Sequence, residues 1–122
     1  MAIDVILVNG FVDVDPYGGD PIPIKWAVIE KVGSGDYTVV NAVAGKKIRV
    51  LYLFYVNSLG ASVSFKSGNN TKVDAMLTIA GQPNAPDPGP HGWVVETNVG
   101  EAFIINNNGL GTTRGFALYI EL

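Results

Sequence analysis

The sequence predicts an all-β protein, an antiparallel β-sandwich of jelly-roll type with about eight strands. Three observations support this prediction. Short runs of apolar, β-branched and aromatic residues alternate with period 2, and turn-forming segments rich in Gly, Asn and Pro separate them. A third is that no run shows convincing helical periodicity. The chain has 122 residues without a shift in composition, which predicts one domain with a substantial core.

The predicted centre of the fold is Lys46–Ser58, the longest strongly apolar run. Strict alternation divides its side chains between two faces. The first face would carry Ile48, Val50, Tyr52, Phe54 and Val56, and the second Arg49, Leu51, Leu53, Tyr55 and Asn57. Both faces are largely apolar, so one is expected to pack on a second sheet. Because the sequence offers no helix to cover the second face, we expect a subunit contact there.

The N-terminal part, residues 1–23, predicts a first strand over Ala2–Val8 and then an extended arm over Asn9–Pro23. Proline has no N–H to donate to a sheet, and glycine favours turns, which argues against a regular strand in the arm. The β-sandwich proper is predicted over 24–122. The arm is acidic, and it is interpreted either as a contact with a neighbouring subunit, involving Asp13, Asp15 and Tyr17, or as a surface loop.

Further strands are predicted between the turns of the remaining chain. They cover Ile24–Lys31, Tyr37–Val43, Ser62–Lys66, Trp93–Thr97, Glu101–Asn106 and Thr112–Leu122. The pattern of Lys72–Ala80 fits a strand or a helical turn equally well. Gly81–Gly92 contains four prolines and three glycines. A loop of that length in a small domain is expected to be functional or covered by a partner.

Composition excludes several classes of site. The absence of cysteine rules out disulfides, thiolate zinc sites and a cysteine nucleophile. The net charge of −3 lacks the basic excess that binding to nucleic acid requires. The N-terminus is not typical of a signal peptide, and no run is long enough to span a membrane. No partner is therefore expected among nucleic acids or membranes.

The sequence offers only weak candidates for catalytic residues. His91, the single histidine, lies near Asp87, but no nucleophile motif accompanies it. Glu96 and Glu101 flank a turn, and such a carboxylate pair could serve a glycosidase, although the spacing is more typical of a surface rim. The sequence therefore predicts neither a catalytic site nor a cofactor, and the protein is expected not to be an enzyme.

The spacing of Asp13, Asp15 and Asp20 resembles a fragment of a calcium loop, because alternating aspartates and glycines can supply several oxygen ligands. The glutamate at the twelfth position of the helix–loop–helix pattern is missing. A solvated acidic loop is the preferred interpretation, and no metal is predicted.

Two further groups of residues, one aromatic and one basic, could bind a ligand or a neighbouring subunit. The aromatic residues could provide a platform for sugar rings, although strand aromatics more often lie in a core. That set comprises Trp26, Tyr37, Tyr52, Tyr55 and Trp93. The cluster of Lys46, Lys47 and Arg49 is the one concentration of positive charge, and it could pair with the acidic arm or be a solvated strand end.

Five segments in a fixed order carry a resemblance to a known family. They are Val39–Leu51 (VVNAVAGKKIRVL), Gly60–Gly68 (GASVSFKSG), Gly92–Thr97 (GWVVET), Gly100–Asn106 (GEAFIIN) and Gly115–Tyr119 (GFALY). Together they resemble a family of small virion proteins of tailed bacteriophages. The match spans about residues 33–122, whereas residues 1–23 have no counterpart and the proline loop is elaborated.

The resemblance implies a jelly-roll protein that decorates or cements a phage capsid, commonly as a trimer. On this interpretation the partners are two further copies of the chain and the major capsid protein, and the location is the capsid surface after synthesis in the host cytoplasm. A fibre or carbohydrate-binding adhesin module is the alternative. The expected contact residues are Asp13, Asp15, Tyr17, Lys46, Lys47, Arg49, Leu51, Leu53, Tyr55, His91 and Trp93.

Overall fold

A computed structural model of the protein describes residues 11–12 and 22–122. In this part of the chain the regular structure consists of β-strands, and every paired strand is antiparallel. The strands are β1 (Phe11–Val12), β2 (Ile22–Pro23), β3 (Lys25–Val32), β4 (Gly35–Val40), β5 (Ile48–Asn57), β6 (Ser62–Ser67), β7 (Asn70–Met76), β8 (Pro83–Asn84), β9 (Val95–Glu96), β10 (Phe103–Asn108) and β11 (Thr112–Glu121).

Two sheets form the sandwich. One has the order β4-β10-β6-β7, and the other has the order β3-β11-β5-β8, with β9 also paired to β5. The chain crosses repeatedly between the sheets, and the last strand, β11, lies between β3 and β5. This is the connectivity of an eight-stranded jelly roll in which β8 and β9 share one position. The predicted fold class is therefore confirmed.

The core lies between the two sheets. Its centre is aromatic: the rings of Tyr55 and Phe65 meet edge to face with centroids 5.9 Å apart, and Phe65 meets Phe103 at 6.3 Å. Such edge-to-face pairs add to the stabilisation that burial of the rings provides. Burial raises the pKa of the Tyr55 phenol to about 12. The other core residues are Ile29, Val40, Ile48, Val50, Leu53, Val63, Val95, Ile105 and Ala117.

A β-bulge in β5 changes which side chains face this core. Tyr119 of β11 lies opposite Val50, and the preceding Leu118 lies opposite Tyr52, so Leu51 is an extra residue on β5. An extra residue inverts the alternation of the strand beyond it. As a result, the buried positions of β5 are Ile48 and Val50 before the bulge, and then Leu53, Tyr55 and Asn57 after it.

Two predictions about Lys46–Ser58 are therefore wrong. Leu53 and Tyr55 do not form a subunit contact, because the four-stranded sheet covers them and both are buried. Tyr52 and Phe54 do not share a face with Ile48 and Val50. Instead they point away from the other sheet, and Leu51, at the bulge, is half-buried. Strict alternation cannot anticipate a one-residue insertion in the ladder.

The remaining elements follow the sequence pattern closely. The undecided segment Lys72–Ala80 forms most of β7, since it pairs with β6, and then leaves the sheet after Met76. The proline loop Gly81–Gly92 contributes β8, which pairs with Val56 and Tyr55 of β5. The predicted strand Ala2–Val8 lies outside the described residues, as does most of the arm Asn9–Pro23.

Candidate functional site

The outward side of the five-stranded sheet carries a continuous apolar surface. In the middle of this surface, Phe116 of β11 lies opposite Val28 of β3 and Phe54 of β5. One pair further along, Leu118 lies opposite Trp26 and Tyr52. Residues directly opposite in a ladder share a face of the sheet. We call this surface the aromatic face, and it consists of Trp26, Val28, Tyr52, Phe54, Phe116 and Leu118.

The rings of the aromatic face contact one another around Phe116. Trp26 stacks on Phe116 with centroids 4.5 Å apart and planes 7° from parallel. Phe54 lies 5.6 Å and Tyr52 5.7 Å from the same ring. These contacts hold the rings in place, yet Trp26 is 59% exposed and Val28 is 57% exposed. A contiguous apolar patch of this kind on a soluble domain is typical of a binding surface.

An ion pair borders the aromatic face at one end. Arg114 of β11 approaches Glu30 of β3 at 3.6 Å, and both side chains are largely exposed. An exposed pair of this type contributes little to stability. Its position gives that end of the apolar surface a polar border, as in protein–protein interfaces. The pair of Lys25 with Glu121, at 3.1 Å, lies on the other side of the sheet, because these residues are in register with the core residues Val50 and Ile48.

The predicted basic cluster is organised around a glutamate. Lys47 lies 2.9 Å from Glu96, and the Arg49 Nε donates to the same carboxylate at 2.6 Å. Lys46 is exposed in the turn before β5. The expected pairing of the cluster with the acidic arm stays a prediction, because Asp13, Asp15, Tyr17 and Asp20 lie outside the described residues. Within the described part, Glu96 is the partner of Lys47 and Arg49.

Two opposing effects set the pKa of Glu96. Partial burial raises the pKa, but the hydrogen bonds from Lys47 and Arg49 outweigh burial and leave the pKa below the ordinary glutamate value. A carboxyl group whose pKa is lowered on folding stabilises the fold above its unfolded pKa, and this contribution is lost as the pH falls through the folded pKa.

We expect Glu96→Gln to lower the melting temperature at pH 7 by a few degrees, corresponding to about 1 kcal/mol. The difference from the unchanged protein should shrink as the pH falls below about 4.3 and Glu96 becomes protonated in both states. Thermal unfolding followed by circular dichroism between pH 3 and 7 measures this. Glu30→Gln is the control, since its exposed pair with Arg114 should matter little at any pH. A melting-temperature difference between Glu96→Gln and the unchanged protein that stays constant from pH 3 to 7 would show that the ionised Glu96 carboxylate does not stabilise the fold.

His91 and Trp93 lie beside this ion-pair cluster. Their rings are 4.1 Å apart, and the Arg49 guanidinium carbon lies 5.6 Å from the centre of the Trp93 ring. The structure therefore brings together five of the predicted contact residues at one end of β5, namely Lys46, Lys47, Arg49, His91 and Trp93. The sequence did not show that Glu96 would join them.

An open cleft of about 410 Å³ runs between β7 and β9 next to Trp93. Val73, Val94 and Val95 form its apolar part, and Lys72, His91 and Asn98 contribute polar groups. Lys72 donates to the Asn98 side-chain oxygen at 2.9 Å. The Asn98 amide in turn donates to Glu101 at 2.9 Å, and Ser67 donates to Glu101 at 2.7 Å. Both members of the predicted carboxylate pair, Glu96 and Glu101, are thus engaged in local contacts.

The predicted sugar platform is dispersed. Trp26 and Tyr52 both belong to the aromatic face, but Tyr55 lies in the core and Trp93 lies beside the cleft. The half-buried Tyr37 donates its hydroxyl to the Val28 carbonyl at 3.2 Å. Phe54, Phe116 and Val28 also belong to the aromatic face, although the sequence did not indicate them as site residues. The sequence did contain a signal for this face, because Trp26 and Val28, like Phe116 and Leu118, are two residues apart and therefore point to the same side of a strand.

Among the residues that the structure describes, no three acidic or histidine side chains come together as a metal site would require. The calcium candidates Asp13, Asp15 and Asp20 lie outside that part. The described segments include no helix long and apolar enough to cross a membrane.

The fold and the site together define a jelly-roll β-sandwich with an exposed aromatic face on one sheet. No protein-family model and no curated protein matches the sequence. Among solved structures, the chain is similar to a protein of the Bacillus endospore appendages, which form disulfide-linked pili. The sequence identity is 10%, the TM-score is 0.50, and the match covers 90% of this chain and 95% of that one. At this identity the likeness shows a shared fold.

Proposed function

We propose that this protein is a structural assembly protein that binds neighbouring subunits through its aromatic face. More specifically, we propose a virion protein of a tailed bacteriophage, which decorates the capsid as a homotrimer and contacts the major capsid protein. The observation that carries the proposal is the group of stacked rings exposed around Phe116. The five sequence segments that resemble phage virion proteins supply the more specific part.

The aromatic face has the properties of a contact surface. Full burial of one large apolar side chain is worth about 1.5–3 kcal/mol, so covering Trp26, Val28 and Tyr52 would contribute substantially to association. The rings are already stacked on Phe116, so they lose little conformational freedom on binding. The ion pair of Glu30 with Arg114 at one end would help to fix the register of a partner.

We also propose that the protein has no catalytic activity. The residues that could have served catalysis are occupied by neighbours: His91 packs on Trp93, Glu96 is paired with Lys47 and Arg49, and Glu101 accepts hydrogen bonds. These contacts leave the carboxylates ionised rather than poised to donate a proton.

The likeness to an appendage protein supports the general part of the proposal, since those appendages are disulfide-linked pili. The present sequence contains no cysteine. Its own assembly would therefore depend on non-covalent contacts, and an apolar face is the means that the structure offers. The location on a capsid surface rests on the sequence resemblance.

The proposal predicts that Trp26→Asp disrupts the trimer and abolishes binding to capsids, because a carboxylate would be desolvated in the contact. The variant should keep its melting temperature to within a few degrees, since Trp26 is exposed on an edge strand. Light scattering after gel filtration gives the mass, and co-sedimentation with undecorated capsids gives the binding.

Val99→Asp is the matched control, because Val99 is 63% exposed but lies away from the aromatic face. It should leave both mass and binding unchanged. If the unchanged protein is already a monomer and does not sediment with capsids, the proposed function is wrong.

An adhesin remains the alternative function, because one ring face of Trp26 is stacked on Phe116 while the side chain stays largely exposed. An exposed indole face is suited to stacking on a sugar ring. A glycan array distinguishes the two. Binding to a glycan that Trp26→Asp abolishes, together with no binding to capsids, favours the adhesin.

A further inference from the structure

A second apolar surface occupies one end of the sandwich. Five aliphatic side chains on separate loops and strand ends are strongly exposed there, and Leu77, at 85%, and Leu110, at 73%, are the most exposed. We call this surface the apolar tip, and it consists of Val32, Leu59, Leu77, Ile79 and Leu110. It shares no residue with the aromatic face.

Hydrogen bonds and close contacts hold the loops of the tip together. The Gly33 N–H donates to the Gly111 carbonyl at 2.9 Å, and the Thr78 hydroxyl donates to the Ala61 carbonyl at 2.7 Å. The Ser58 N–H donates to the Thr112 carbonyl at 3.0 Å. These bonds join four segments that are distant in sequence, so their exposed side chains form a common surface.

A network of buried polar side chains also holds these loops in place through hydrogen bonds. The Asn57 side-chain oxygen accepts the N–H groups of Leu59 and Ala61, each at 2.9 Å. Its amide donates to Thr113 at 2.9 Å and to Asn107 at 3.3 Å. Asn107 donates to the Gly33 carbonyl at 2.9 Å. The tip is therefore pre-organised, which lowers the entropic cost of binding.

The tip carries no charge. The four segments 32–35, 57–61, 77–82 and 108–112 contain neither acidic residues nor Lys or Arg, and they contain no Trp or Tyr. The nearest charged groups are the Lys31 ammonium, beside Gly35, and the ion pairs of Glu30 with Arg114 on one sheet and Asp36 with Lys66 on the other. The neutral apolar centre is thus flanked by charges of both signs.

We propose that the apolar tip binds the same tip of a second copy of this chain in a two-fold contact. An isologous contact places identical surfaces together, so a neutral centre avoids burying like charges. Across the two-fold axis, Arg114 of each copy can approach Glu30 of the other. A lipid surface is disfavoured as the occupant, because the tip segments lack the Trp and Tyr residues that anchor proteins at a bilayer interface.

The inference can be tested separately from the proposed function, because the apolar side chains and the symmetry of the two contacts differ and only the Glu30–Arg114 pair borders both. With the aromatic face forming trimers, tip contacts would join two assemblies end to end. With the aromatic face altered by Trp26→Asp, the tip alone should still give dimers.

The absence of cysteine permits a direct test. Leu110→Cys introduces a unique thiol in the tip, and Val99→Cys introduces one at a similarly exposed position outside it. Both are made in the full chain carrying Trp26→Asp and treated with a short bismaleimide. We expect Leu110→Cys to give a covalent dimer at protein concentrations where Val99→Cys stays monomeric. Equal cross-linking of the two variants would overturn the proposal.

Sedimentation equilibrium provides a second test without cross-linking. Adding Leu77→Asp to the Trp26→Asp chain should weaken dimerisation by about 100-fold or more, because two carboxylates would face each other in an apolar contact. An unchanged association constant would overturn the proposal. So would a tip-dependent flotation of the monomer with neutral phosphatidylcholine vesicles, since it would identify lipid as the occupant.

Discussion

Replacing Gly115 by alanine is expected to abolish the folded jelly roll. Gly115 lies in β11 directly opposite Ile29 on one side and Tyr55 on the other. A Cβ atom at this position would lie 2.8 Å from both the carbonyl carbon of Phe54 and the Cα of Tyr55. These are backbone atoms of the neighbouring strand, so no side chain can move aside to make room.

The expected loss exceeds about 4 kcal/mol, which is exceptional for a single methyl group. β11 lies between β3 and β5, and displacing it would disrupt the pairing on both sides. Urea unfolding followed by circular dichroism measures the loss, or shows that no folded protein is obtained. We expect Gly115→Ala to fail under conditions in which the unchanged chain is stably folded.

Gly81→Ala is the matched control for this substitution. Gly81 has a φ of 72°, so alanine there is mildly strained, but no described atom lies within 4 Å of the added carbon. Its expected cost is about 1–2 kcal/mol. Equal stabilities of the two variants would show that β5 and β11 do not approach as closely as the structure indicates.

The second large effect is expected from Asn57→Ala, which should lower the free energy of unfolding by about 3–5 kcal/mol. The substitution removes four hydrogen bonds and leaves Asn107 and Thr113 buried with fewer partners. A buried polar group that loses its partner costs about 1–3 kcal/mol. The loss should also loosen the loops of the apolar tip.

Two measurements check the role of Asn57. Chemical unfolding gives the stability, and hydrogen exchange should show faster exchange at the amides of Leu59 and Ala61, which lose their acceptor. Asn106→Ala is the control, because Asn106 donates to the exposed Asp36 at the surface of β10 and its loss should cost under about 1 kcal/mol. Unaltered exchange at Leu59 and Ala61 would argue against the network.

The sequence predicted the strands well because their signals are local. Runs of β-branched and aromatic residues, ended by Gly, Asn and Pro, place β3, β5, β6, β10 and β11 within a few residues of their observed limits. The same signals, together with the absence of helical periodicity, were sufficient for the sandwich and its jelly-roll type. Each of these features depends on residues that are neighbours in sequence.

The contact surfaces were predicted less well, and the bulge at Leu51 is the main reason. A bulge adds one residue to a ladder and exchanges the two faces of the strand beyond it, and nothing in the alternation of β5 marks its place. One apolar face of β5 contacts the core and the other does not, as the sequence predicted. The residues assigned to the two faces were exchanged beyond Leu51.

The sequence by itself thus determined the fold class and the positions of most strands, because composition and short-range patterns decide these, and its lack of cysteine excludes disulfides and thiolate sites. Only the tertiary structure decided which side chains meet. Trp26, Phe54 and Phe116 come from three separate strands, and the leucines of the apolar tip come from separate loops joined through Asn57. Such surfaces depend on register and on long-range packing, which local patterns do not specify.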